Sequence, residues 1–230
     1  MMSQDSRNPF VKGAIARAYD AWYGSALGAA MHRWQMDLVM RMSRPLARER
    51  ALDVGTGTGH YACALADRGL RVIGLDPSAE MLSVARAKSA AVSWLRGVAE
   101  QLPFPDGTFD LVVSVTAIEF VRDPARTTAE ICRVLKPGGR MVMGTLNSRG
   151  PWGRLYQEMA LDPESPFHQA QLRTSEQFCD LLSCCGAVRW NSSGFLPASG
   201  RAVRAAPLLE RLGRVLWRRR GALLVGRVEK

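Results

Sequence analysis

The residues best placed to do chemistry lie in Leu52-Asp53-Val54-Gly55-Thr56-Gly57-Thr58-Gly59-His60, where three glycines at alternate positions follow an acid. Such a stretch makes a strand-to-helix turn in which the main chain is itself the binding surface. Glycine is needed because a Cβ would block a ligand approaching the backbone, and because such turns often require positive φ. The helix that follows presents unpaired N–H groups and a positive dipole end, which favour a carboxylate or similar anion. A second acid, Asp76, ends the next apolar run, Val72-Ile73-Gly74-Leu75. In a βαβ unit it falls at the adjacent strand tip, where a carboxylate accepts hydrogen bonds from both hydroxyls of a ribose.

The spacing selects among nucleoside ligands. A dinucleotide fingerprint reads G-x-G-x-x-G, whereas this chain reads G-x-G-x-G and places His60 where that pattern needs its third glycine. No basic residue in the loop neutralises a pyrophosphate, and Asp53 would repel one while suiting an ammonium group. The ligand implied is an adenosine with a zwitterionic amino-acid tail, S-adenosylmethionine. Further on, Gly97-Val98-Ala99-Glu100-Gln101-Leu102-Pro103-Phe104 precedes Phe109-Asp110-Leu111-Val112-Val113-Ser114, and Arg133-Val134-Leu135-Lys136-Pro137-Gly138-Gly139 precedes Met141-Val142-Met143. In order and spacing these resemble the class I S-adenosylmethionine-dependent methyltransferases, in particular their small-molecule, methyltransferase type 11-like branch, over roughly Tyr19 to Thr145.

That resemblance implies roles by position. Asp53, Gly55, Thr56, Gly57 and Gly59 would surround the methionyl tail. Asp76, with Pro77 beside it, would bind the ribose; Met81 would contact the adenine; Ala99 and Glu100 would enclose the ring; Thr116 follows strand four at the ligand edge. Relatives usually carry Asp where this chain has Val98, so the hydrogen bond to the exocyclic amine is absent or passes to main chain or Glu100. An N-terminal Tyr-Asp-x-Trp/Phe pattern makes Tyr19, Trp22 and Tyr23 candidate lid residues, helix packing being the alternative. Trp152 is a candidate substrate contact. Glu119, His60 and His168 are candidate bases, but each is better read as structural, packing or surface, so no catalytic residue is assigned. The Asn/Asp-Pro-Pro-Tyr/Phe sequence of base-amine methyltransferases is missing after strand four.

The positioning elements follow from the pattern. Helices run from Asn8 to Arg44, broken at Gly24 and Ser25. Strands are expected at Ala51–Val54, up to Asp76, Ala91–Arg96, Asp110–Val115 and Arg140–Thr145. Helices are expected at His60–Arg68, from Pro77-Ser78 onward and at Pro124–Val134. This alternation demands a parallel sheet with right-handed crossovers. Thr174-Ser175-Glu176-Gln177 starts a helix that Gly186 stops. Val188–Phe195 and Ala222–Val228 read as antiparallel strands flanking a basic helical stretch. The expectation is a Rossmann-like α/β fold, doubly wound and mostly parallel, with an antiparallel C-terminal hairpin and an N-terminal helical lid. It forms one domain over 1–230: lid 1–46, cofactor core 47–146, substrate-side cap 147–175, and C-terminal helix and hairpin 176–230.

Composition bounds the rest. The chain has 230 residues, 47% of them hydrophobic, which suits one ordinary core. It has no run of eighteen apolar residues and no signal peptide, so a cytoplasmic location is expected. Five cysteines at irregular spacing argue against a disulfide framework or a metal site. Cys63 and Cys132 read as small buried hydrophobes, and Cys184 and Cys185, as helix neighbours, should diverge. The net charge of +10 is concentrated in Arg201, Arg204, Arg211, Arg214, Arg218, Arg219, Arg220 and Arg227. Solvated surface fits this better than RNA, anionic lipid or an acidic substrate, and no nucleic-acid module is present. The best specific rival is an anionic or membrane-partitioned substrate, and peripheral membrane contact through these arginines stays open. The expected partner is a small acceptor, apolar or aromatic given Trp22, Trp34, Trp152, Phe167 and Phe195. The alternatives are methylation of RNA or protein docked on the arginines, or a cofactor-binding regulator without catalysis.

Overall fold

The computed structural model describes residues 19–199 and 205–230; the expected helix between Asn8 and Ala18 lies outside them. Seven strands form one sheet in the order β3-β2-β1-β4-β5-β7-β6. They are β1 (Arg50–Val54), β2 (Arg71–Asp76), β3 (Ser93–Arg96), β4 (Phe109–Val115), β5 (Leu135–Leu146), β6 (Arg189–Ser193) and β7 (Leu223–Glu229). The first five are parallel, and β7 pairs antiparallel with both β5 and β6. The helices are α1 (Ala26–Ser43), α2 (His60–Ala66), α3 (Ala79–Lys88), α4 (Pro124–Val134), α5 (Pro151–Met159), α6 (Ser175–Leu182) and α7 (Ala206–Leu216). Tyr19–Tyr23 is also helical.

Alternate strand residues feed two cores. Ala51, Val113, Val142 and Val225 pack against Leu38 and Val39 of α1 and Leu65 of α2. Leu52, Val112, Met141 and Leu224 pack on the other face with Ile131 of α4 and Phe178 of α6. A sheet covered on both faces explains the nearly unbroken apolar sequence of β4. The expected doubly wound, mostly parallel fold with antiparallel C-terminal strands is the fold observed.

Side chains cap the helices that must start sharply. Ser78 Oγ accepts from the Met81 N–H, and Asp123 from the Arg126 N–H ahead of Pro124. Thr174 and Gln177 satisfy each other's backbone N–H in a capping box. Some boundaries move. α2 ends at Ala66, with Gly69 (φ +82°) turning the chain two residues later into β2. β5 begins at Leu135, before its expected start, because Leu135 already pairs with Phe109 ahead of the irregularity that resets the register to Leu111–Arg140. The expected cap contains α5, started by Gly150 (φ +93°) and Pro151.

The cysteine reading is corrected. Cys132, in the last turn of α4, and Cys185 form a disulfide with Cα atoms 5.9 Å apart. Cys184 Sγ lies 3.7 Å from that of Cys185. Divergence holds for neighbours inside an α-helix, but these two occupy a 3-10 turn, Ser183–Cys185, after α6. Both turn back toward the end of α4.

Candidate active site at the carboxyl edge of the sheet

After β1 the chain passes through Gly55, Gly57 and Gly59 at φ +69°, +53° and +86°. Their uses differ. A Cβ on Gly55 would lie 2.3 Å from that of Ala117, and one on Gly59 would lie 2.5 Å from the Trp94 ring. A Cβ on Gly57 would meet nothing within 4 Å. Gly55 and Gly59 therefore permit packing, and at Gly57 the missing Cβ leaves open space beside the main chain. The Gly55 and Thr56 N–H groups both donate to the Leu75 carbonyl, at 2.8 and 3.0 Å, locking the loop to the end of β2.

Asp76 closes β2 beside this loop. Its Oδ2 accepts from the Gly57 N–H and its Oδ1 from the Ser78 N–H, each at 2.9 Å. Burial pushes its pKa up, while those two hydrogen bonds oppose the shift. A carboxylate has about four acceptor positions; two are used here, which leaves room for a pair of hydroxyls. Asp53 is different: it is buried behind the loop, with Oδ2 accepting from Thr56 Oγ1 at 2.6 Å. Burial raises its pKa to about 7.

Between these groups and the loops after β3 and β4 lies a cavity of about 1160 Å³. Gly55, Thr56, Gly57, Asp76, Pro77 and Met81 line one end; Val98, Ala99, Glu100, Arg122 and Arg126 close a side. Glu100 Oε1 accepts from the Arg122 N–H at 2.8 Å, and Arg126 Nε donates to the Glu100 carbonyl at 2.8 Å. Thr116, at φ +51°, turns the chain out of β4 into the cavity wall. A non-glycine residue held in that region is a strained feature of the kind that gathers at ligand sites. Tyr19, Tyr23, His60, Tyr61, Phe120, Gln169 and Gln171 also line the cavity. The Tyr23 hydroxyl donates to that of Tyr19 at 2.7 Å.

One carboxylate ties the Tyr19–Tyr23 helix over the glycine loop. Asp20 Oδ1 accepts from Thr58 Oγ1 at 2.8 Å and Lys88 Nζ at 2.7 Å, and lies 3.0 Å from His60 Nε2. Partial burial works against its ionisation, but the Lys88 and Thr58 hydrogen bonds outweigh it and hold its pKa below the ordinary value. Burial, and then the Lys88 charge, lower the pKa of His60. The residues present fit an adenosine with an amino-acid tail: open space beside the main chain at Gly57, a ribose-competent carboxylate at Asp76, and an enclosed wall at Val98–Glu100.

The chain is similar to known methyltransferases. The family described as a methyltransferase domain matches residues 52–143. An uncharacterized methyltransferase of Mycobacterium tuberculosis is 44% identical over 112 residues, 48% of this chain and 46% of that protein. The malonyl-[acyl-carrier protein] O-methyltransferase of Serratia marcescens is 36% identical over 136 residues, 59% of this chain and 53% of that protein. The chain thus spans about half the length of these curated relatives. The crystal structure of a SAM-dependent methyltransferase from Thermotoga maritima superposes with a TM-score of 0.71 at 26% identity, covering 94% of this chain and 96% of that one.

Residues 52–143 match the methyltransferase domain, and the chain as a whole is similar to S-adenosylmethionine-dependent methyltransferases.

Several expected residues sit elsewhere than the sequence suggested. Asp53 and Gly59 are not among the residues lining the cavity; they support the loop from behind. Trp152 is buried against Met31 and Leu196, its Nε1 donating to the Leu196 carbonyl at 2.6 Å. Trp22 stands on the outer surface, away from the lining. Glu119 is fully buried outside the cavity; its Oε1 accepts from Thr145 Oγ1 at 2.8 Å and from the Leu146 N–H. That carboxylate ties the end of β5 to the segment after β4. His168 Nδ1 pairs with the Ala160 carbonyl at 2.9 Å, also outside the lining. The aromatic residues that suggested an apolar acceptor, Trp34, Trp152, Phe167 and Phe195, pack in the cores or against α7. Tyr19, Tyr23, Tyr61 and Phe120 supply the aromatic surface of the cavity instead. Tyr61 and Asp20 could have been read from their places beside His60 and Tyr19, whereas nothing local marks Gln169, Gln171, Arg122 or Arg126.

The three cysteines Cys132, Cys184 and Cys185, whose sulfurs all lie within 4.8 Å of one another, also lie away from this site. α4 runs antiparallel to the strands, so its last turn is at the opposite edge of the sheet.

Proposed function

We propose that the protein transfers a methyl group from S-adenosylmethionine to a small acceptor held beside Tyr19, Tyr23, Tyr61 and Phe120. The observation that carries this reading is the pairing of Gly57, whose missing Cβ would point into open space, with the Asp76 carboxyl in one cavity. The cofactor, when bound, supplies an electrophilic methyl on a sulfonium. The chain's own task is then to bind, orient and exclude water, and orientation alone accounts for as much as ~7–11 kcal/mol of barrier in well-aligned systems.

In this reading Asp76 holds the ribose, Gly57 and its neighbours hold the amino-acid tail, and Val98–Glu100 flank the adenine. The Tyr19–Tyr23 helix, clamped through Asp20, covers the reacting end. His60 Nε2 is engaged with Asp20 and Lys88, so His60 orients the wall. The tyrosine hydroxyls are buried and neutral, burial raising their pKa values, and serve as hydrogen-bonding positions for a polar atom on the acceptor.

The test is calorimetry of S-adenosylmethionine and S-adenosylhomocysteine with wild type, Asp76→Asn and Asp76→Ala. Losing charged hydrogen bonds should cost ~2 kcal/mol in the alanine variant, about thirtyfold in affinity. Melting curves establish that each variant is folded, since Asp76 also anchors Gly57 and Ser78. Absence of binding by folded wild type refutes the reading; binding opens a screen of aromatic small acceptors with labelled methyl donor.

A further inference from the structure

α7 is mounted with its apolar side outward. Its inner face carries Ala206, Glu210 and Gly213, all buried, with Leu209 and Arg214 half-buried. Glu210 Oε1 accepts from the backbone N–H groups of Gly194 and Phe195 at 2.7 and 2.8 Å, and its Oε2 from Ser193 Oγ at 3.2 Å. Arg214 reaches Asp37 at 3.1 Å and the Trp34 carbonyl at 3.2 Å. A Cβ on Gly213 would lie 2.2 Å from the Phe195 ring. These contacts fix the rotation of the helix, so it cannot roll its leucines inward.

The outer face carries Leu208, Leu212, Val215 and Leu216, at positions i, i+4, i+7 and i+8 of one stripe. Leu208 is 60% exposed, Val215 78% and Leu216 63%, and Trp217 follows, half-exposed. Arg211 is exposed on the helix, and Arg219 and Arg220 are exposed just beyond it. Between Ala205 and Val228 the only acid is Glu210, which points inward. Arg219 is paired with Glu176 at 3.0 Å, but Arg211 and Arg220 stand exposed beside an apolar stripe with a tryptophan at its end. No carboxylate of this segment faces outward, so the face asks for a partner both apolar and negatively charged.

We propose that α7 with Trp217 docks on an anionic lipid surface, its stripe entering the headgroup–acyl boundary and Arg211 and Arg220 pairing with lipid phosphates. A second copy of the chain is a poor occupant, because the stripe would bring the same arginines together. The proposal stands apart from the methyl-transfer reading, since it uses no residue of the cavity.

Sedimentation with vesicles of phosphatidylcholine alone, or with 30% phosphatidylglycerol, tests it at about 0.1 and 0.5 M salt. The wild type should sediment with the anionic vesicles only and retain part of that binding at high salt. Leu208→Ser/Val215→Ser/Leu216→Ser, altering exposed side chains alone, should keep its melting temperature and bind at least tenfold more weakly. Quenching by brominated lipid should disappear in Trp217→Phe. Three results overturn the proposal: no binding to anionic vesicles, binding unchanged by the triple serine variant, or a dimer in solution that the triple variant disperses. The second would mean adsorption by net charge alone, and the third a protein interface.

Discussion

Asp53 is the residue whose environment makes the most distinctive demand. Burial raises its pKa to about 7, with the Asp76 charge adding to the shift and the Thr56 and Ala62 hydrogen bonds opposing it. An unfolded aspartate titrates near ~3.9. Between those values the folded chain holds more protons than the unfolded one, so stability falls as pH rises, by at most about 1.4 kcal/mol per pH unit for one proton. His32 acts in the opposite sense. Burial lowers its pKa to about 4, so it adds stability as pH rises from about 4 to 6.5. The Asp53 effect is therefore isolated by difference. The melting temperature of wild type relative to Asp53→Asn should fall from pH 5 to pH 8 and level off above. A difference independent of pH would mean that Asp53 is ionised throughout, and that the loop above it tolerates a buried charge.

At the scale of elements, the disulfide joins the end of α4 to the turn after α6, across 53 residues of sequence. Closing a loop of that length in the unfolded chain is worth ~2–4 kcal/mol. Protein purified without reductant should show three thiols to a denaturing thiol assay, and five after reduction. Reduction should lower the melting temperature, and Cys185→Ala should show no further drop. Five thiols before reduction would remove the cross-link. This contact was hidden in the sequence because it joins two elements through tertiary packing, and spacing carries no record of that. Elements with local causes were legible. Pro124 after Asp123 marked the start of α4, the Thr174-x-x-Gln177 box marked α6, and the acid-tipped apolar runs marked β1 and β2. The mounting of α7 was not legible, because its direction is set by Glu210 reaching backbone N–H groups of Gly194 and Phe195, partners distant along the chain.

On the scale of the whole molecule, the cavity draws its lining from the Tyr19–Tyr23 helix, the glycine loop, the segments after β2, β3 and β4, and Gln169 with Gln171. The cofactor end could be anticipated because the glycine loop and Asp76 carry their own signal. The acceptor end could not. A buried core tryptophan such as Trp152 and a cavity tyrosine such as Tyr61 look alike until the packing assigns them. A ligand spanning these separate segments should stabilise them together. At a hundred times its dissociation constant, a ligand confined to the folded state adds ~2.7 kcal/mol, which for a chain of this size raises the melting temperature by about 5–10 °C. Hydrogen exchange with and without S-adenosylhomocysteine locates the effect. Protection should rise in 19–23, 55–60, 96–101 and 116–123, and stay unchanged in β6, β7 and α7, which lie outside the lining. Protection confined to the glycine loop would show that the Tyr19–Tyr23 helix does not close over the site through Asp20. Protection spreading into α7 would couple the outward stripe to the cavity, and the two sites would then have to be treated as one system.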